Sequence, residues 1–142
     1  MPAYIKVRNL QRRIPVNATD LQIFAEKALG RCLQLRKQKE TDLVQLDEIF
    51  VWLISDRRMA SLHQKFMHQM GPTDVLTFQH GEIFVSVETA KEHARVFGNS
   101  LAAELSLYIA HGLLHLHGFD DRTQAAASKM QRIQKKILEQ AL

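Results

Sequence analysis

Six consecutive apolar residues, Ile49-Phe50-Val51-Trp52-Leu53-Ile54, stand inside the chain and constrain its fold more than any other stretch. Strands covered on both faces have this pattern, so the run predicts a central strand from Leu46 to Ile54 buried on both sides. A central strand needs neighbours. Tyr4 to Leu10 alternates and reads as an opening strand. Thr73 to Phe78 and Glu82 to Val87 read as two more, and the short Gln79-His80-Gly81 link predicts that they pair as an antiparallel hairpin.

Helical spacing fills the rest. After Ile14-Pro15-Val16 breaks the first strand, Asn17 or Thr19 caps a helix to about Leu35, with Leu21, Phe24, Ala25, Ala28, Leu29 and Cys32 on one face. Arg36 to Asp42 reads as a charged, solvated connector. Ser55 caps a helix to about Met67, with Asp56 suiting the dipole of its first turn, and His68 to Pro72 is a loop. Ser86 or Glu88 opens a helix to about Phe97, and Ser100 caps another that ends at Gly118. A last helix runs from about Arg122. This order predicts one α+β domain over residues 1–142, a mixed four-stranded sheet packed with about five helices.

A chain of 142 residues is one domain in size and can bury roughly two thirds of its unfolded surface. It does not need a metal to hold a core, so a metal site would serve chemistry. Cys32 is the only cysteine, which rules out an intrachain disulfide or a cysteine cluster and suits a reducing cytoplasm. No leader and no apolar run of membrane-spanning length is evident, so a cytoplasmic protein without membrane contact is expected. The formal net charge of +4 is compatible with a polyanionic partner such as RNA.

Chemistry concentrates in His111-Gly-Leu-Leu-His115-Leu-His117-Gly118-Phe119-Asp120-Asp121. Histidines four apart share one helical face and can hold one divalent ion. Gly118 lets the chain turn back, so that Asp121 reaches the same ion. Two histidines and one carboxylate leave a fourth tetrahedral position for water, the pattern of catalytic rather than structural zinc. Asp120 is an alternative third ligand, or a partner that holds a ligand imidazole. His117 lies off the shared face and reads as supporting the site or as surface. Zinc peptidases carry Glu beside the first histidine, whereas this chain has Gly112.

These residues resemble the hallmark of the YbeY family of rRNA-maturation endoribonucleases, His-Gly-x-Leu-His-Leu-x-Gly-x-Asp-His. His111, Gly112, Leu114, His115, Leu116, Gly118 and Asp120 match it, with Asp121 in place of the last histidine. Pro72 to Phe78 matches a second family stretch with Thr77 for Ser, and Gly81 to Ser86 matches a third with Glu82 for Asp. The resemblance implies a metal-dependent endoribonuclease directed at single strands, acting in maturation of the 16S rRNA 3′ end and in ribosome quality control. It implies one Zn2+ held by His111, His115 and Asp121, and ribosomal RNA with the small subunit or its proteins as partners. DNA is not an expected substrate. Two further departures stand out: Met67 occupies the slot of a family arginine, and His63 that of a usual asparagine. The Gln79-His80 link is also shorter than in the family.

On this reading His111, His115 and Asp121 act through water on the ion. The general base is open among Glu82, His63, His68 and His80. The nucleophile is either water or the ribose 2′-hydroxyl, a group only RNA supplies. Transition-state charge falls to the metal, to backbone N–H groups, or to Arg57, Arg58 or Arg122. Candidate RNA contacts are Arg8, Arg12, Arg13, Arg31, Arg36, Lys37, Arg57 and Arg58. Two other classes stay open: a ribosome-associated binding protein with a vestigial metal site, and a metallopeptidase.

Overall fold

The computed structural model describes residues 4–35, 40–67 and 74–141. Its elements in order are β1 (Tyr4–Asn9), α1 (Ala18–Gln34), α2 (Asp42–Gln45), β2 (Glu48–Ile54), α3 (Asp56–Met67), β3 (Val75–Phe78), β4 (Glu82–Ser86), α4 (Val87–Phe97), α5 (Leu101–Leu116) and α6 (Gln124–Ala141). The sheet order is β1-β2-β4-β3. β1, β2 and β4 run parallel, and β3 returns antiparallel on β4. The mixed four-stranded α+β domain read from the sequence is therefore the fold. None of the helices among the described residues is long and apolar enough to cross a membrane.

Local chemistry starts the helices where the sequence predicts. Asn17 caps α1 by accepting the Asp20 N–H, Ser86 caps α4 through Thr89, and Ser100 caps α5 through Ala103. The last helix begins slightly later than expected, because Thr123 accepts the Ala126 N–H and so caps α6.

β2 lies inside the sheet, yet its two faces differ. Ile49, Val51 and Leu53 are fully buried and share a face with Ile5, Val7, Ile83 and Val85. α1 and α5 pack on that side and build the main core with α6. Phe50 and Trp52 point the other way and are only half-buried, their rings stacked with centroids 5.1 Å apart. The expectation of full burial on both faces is thus corrected. On the second face α3 covers only part of the sheet, where Met59 packs with Ile54 and Leu76 against Trp52, Phe78 and Phe84.

The connector before β2 also differs from expectation. Residues 36–39 lie outside the described region, but Thr41 is buried and Asp42 opens the short α2. The reason is a tertiary partner. The Thr41 hydroxyl is 2.8 Å from His117 Nδ1, and His117 Nε2 is 2.8 Å from the Leu35 carbonyl. His117, 2% exposed, therefore ties the end of α1 and the start of α2 to the end of α5. It is a core tie, not a surface group.

Candidate metal centre

α5 carries most of the site. Ile109, Leu113, Leu114 and Leu116 bury most of its surface, which leaves His111 and His115 half-buried one turn apart. Their Nε2 atoms converge to 2.9 Å. The helix then stops on a left-handed residue: Gly118 has φ 85°, where a Cβ would be strained. Its N–H donates to the His115 carbonyl at 3.1 Å, and the Phe119 N–H donates to the Leu114 carbonyl at 2.9 Å. These two bonds close a Schellman turn and aim the chain back along α5. Asp121 follows, with its Oδ2 4.0 Å from His111 Nε2.

The three donor atoms all lie within 4.8 Å of one another. Ligands at tetrahedral zinc lie about 3.3 Å apart, given bonds of about 2.0–2.1 Å. The observed separations of 2.9 and 4.0 Å bracket that value, and Asp121 is exposed enough to adjust. The set therefore fits one divalent ion. Asp120, by contrast, is turned to its own loop and accepts the Arg122 N–H at 3.1 Å.

The electrostatics favour ligation. Burial, and secondly the neighbouring His111, hold the His115 imidazole below the usual histidine range, with Asp121 opposing. His115 therefore keeps its lone pair at neutral pH. His111 Nδ1 lies 2.5 Å from Gln134 Oε1 on α6. Gly112, between the two histidines, faces away from them onto Ile83 of β4. The position that carries the base in zinc peptidases is thus pressed on the sheet.

The model of the family described as Endoribonuclease YbeY matches residues 6–142. The chain belongs to the YbeY family. An Endoribonuclease YbeY of Thermotoga maritima is 34% identical over 131 residues, covering 84% of this chain and 87% of the relative. One from Myxococcus xanthus is 32% identical over 143 residues, 89% of this chain and 49% of the relative. A solution structure of a Thermotoga maritima protein superposes with TM-score 0.67 at 28% identity, covering 96% of this chain and 88% of that one. Membership brings a metal-dependent nuclease function at the level of the family, and His111, His115 and Asp121 are a cluster that could hold a divalent ion.

In this YbeY-family chain the site opens into a cavity of about 1000 Å³. The end of α5 and residues 118–120 form one wall, β3 and Gln79 another, Glu40 to Asp42 a third, and Arg122 and Lys129 border it from the α6 side. Several anticipated residues lie elsewhere. Glu82 is on the opposite sheet face, accepting Trp52 Nε1–H at 2.7 Å and meeting His80 Nε2 at 2.6 Å. The period-two reading found its strand but not its face. His63 is on α3, and His68 is outside the described residues. Arg8 alternates with buried Ile5 and Val7, so it shares the face of Trp52. Arg13 pairs with Glu88 at 3.4 Å. Arg12, Arg31, Arg57 and Arg58 are exposed but do not line the cavity, and Arg36 and Lys37 are outside the described residues.

Sequence reasoning underweighted Lys129, whose Nζ stands 5.8 Å from the Phe119 ring centroid at the cavity wall. It missed Gln134 entirely. The available signal was a glutamine interrupting the apolar stripe Met130-Ile133-Ile137. Cys32 is buried, and burial pushes its thiol up to about 12, which suits a packing residue rather than a ligand or nucleophile.

Proposed function

We propose that this chain is a zinc-dependent endoribonuclease that cuts single-stranded RNA, and that its substrate is the 3′ end of 16S rRNA in the cytoplasm. The observation that carries this reading is the convergence of Asp121 on His111 and His115, two histidines that line a cavity bordered by Arg122 and Lys129. When bound, zinc supplies Lewis acidity, polarising a phosphoryl oxygen and making water or the ribose 2′-hydroxyl a better nucleophile. The two imidazoles and the Asp121 carboxylate hold the ion, and the neutral state of His115 suits that task. Arg122 and Lys129 would draw the phosphodiester backbone into the cavity and offset its charge. Gly112 offers no base, which weighs against a peptidase. The carboxylates of Glu40, Asp42 and Asp120 line the same cavity and would repel a polyanion. They are the specific support for a second reading, a ribosome-associated binding protein that does not cut.

The test is cleavage of single-stranded and duplex RNA by zinc-loaded protein, beside His115→Ala and Lys129→Ala. Expected are preferential cutting of the single strand, a loss of about 100-fold or more in His115→Ala from the broken ion site, and a weaker salt dependence of binding in Lys129→Ala. Tight RNA binding without any cutting by the zinc-loaded parent would transfer the assignment to the binding protein.

A further inference from the structure

Gln134 is the one polar side chain that α6 buries among the described residues, 6% exposed, with Met130, Ile137 and Ala141 buried beside it. A glutamine on such a stripe is costly unless its amide is paired. Its Oε1 lies 2.5 Å from His111 Nδ1. No other amide or acid of α6 reaches the candidate ligands in this way among the described residues, since Gln124, Gln131, Glu139 and Gln140 are exposed.

The chemistry of the pair is directional. A neutral imidazole carries one proton, so His111 can offer a lone pair at Nε2 only when Nδ1 holds the hydrogen. An amide oxygen facing Nδ1 accepts that hydrogen and disfavours the other tautomer. The alternative, amide NH2 toward Nδ1, would place the proton on Nε2, where it blocks ligation and points at His115 Nε2, only 2.9 Å away. The orientation with Oε1 on Nδ1, as the structure has it, is the one that leaves the His111 Nε2 lone pair free for an ion.

We propose that Gln134 is a positioning residue of the metal centre: through its hydrogen bond to His111 Nδ1 it locks the imidazole as the Nε2 donor. This rests on the metal-site reading above. It also gives α6 a role beyond core packing, because the helix that covers α5 sets the tautomer of a ligand. A neutral acceptor suits this donor set. Asp121 already brings one negative charge to the site, and an amide orients His111 without adding another. Partners of this kind typically change metal affinity by about 10–100-fold when removed.

Two variants test it. Gln134→Met keeps length and apolar contact but offers only a weak thioether acceptor, and Gln134→Glu restores a strong one. Zinc affinity is measured by competition with a chromogenic chelator, and the His111 tautomer by 15N NMR of the zinc-free protein. Expected are the Nδ1–H tautomer in the parent, its loss in Gln134→Met with about 10–100-fold weaker zinc binding, and parental or tighter binding in Gln134→Glu. Thermal unfolding of the zinc-free variants checks that the fold is kept. Parental affinity and tautomer in a folded Gln134→Met protein would overturn the proposal. A parent that shows the Nδ1–H tautomer but binds no zinc would sink the metal-site reading instead, and leave the Gln134–His111 bond standing.

Discussion

A methyl group at position 112 would lie 2.8 Å from Ile83 Cγ2 and 2.9 Å from its Cδ1, both inside normal contact. Gly112 therefore sets how closely α5 approaches β4, and through that where His111 and His115 stand over the cavity. Gly112→Ala gains about 1 kcal/mol of helix propensity, but overpacking costs about 1–3 kcal/mol. A net loss of stability is expected in urea unfolding. The double variant with Ile83→Ala should be more stable than the two single losses added together, because the clash partner is gone. An alanine variant as stable as the parent would mean that α5 sits farther from the sheet. The acid that zinc peptidases carry at this position is visibly missing from the sequence, and the contact of position 112 with Ile83 is the reason no acid fits there.

At the scale of elements, the turn after α5 does two jobs with adjacent residues. Gly118 reverses the chain toward Asp121, and His117, one step earlier, anchors the ends of α1 and α2 through the Leu35 carbonyl and the Thr41 hydroxyl. Thr41→Val keeps the shape but removes the hydroxyl, leaving His117 Nδ1 buried without its partner. It should cost about 1–3 kcal/mol in chemical unfolding and leave zinc affinity within about twofold of the parent. A stability loss with unchanged zinc binding would establish His117 as a tie between helices, whereas a large fall in affinity would make it part of the metal centre. The spacing of His111 and His115 was legible because helical periodicity is local. The partnership of Thr41 and His117 was not, because 76 residues separate them and no local pattern pairs a threonine in a charged connector with a histidine past a helix end.

Across the whole molecule, stability of the zinc-free protein should follow the state of His115. Burial and His111 hold its folded-state pKa below the unfolded value. The resulting contribution to stability is present above the ordinary histidine pKa of about 6.5 and is lost as pH falls through the lowered value. Urea midpoints measured from neutral to mildly acidic pH should therefore fall, and fall less in His115→Asn. An equal fall in both would assign the acid sensitivity to other groups. Over the same range protons compete with the ion, so zinc should be released as pH drops.

The chain's own order of residues determined much of this. Alternation, helical spacing, caps at Asn17, Ser86 and Ser100, and glycines at 98 and 118 are local, so strand, helix and turn could be read in place. The family motifs and the His111-Gly118-Asp121 cluster were legible for the same reason, as their parts lie within one helix and its turn. Tertiary structure alone decided which sheet face each residue joined and which distant side chain met it. It put Glu82 and Arg8 behind the sheet, left Phe50 and Trp52 half-buried on a face that α3 covers only in part, and brought Lys129 and Gln134 to the candidate metal centre. A period of two or 3.6 fixes spacing along an element, but the docking of one element on another is set by the packing of the whole core.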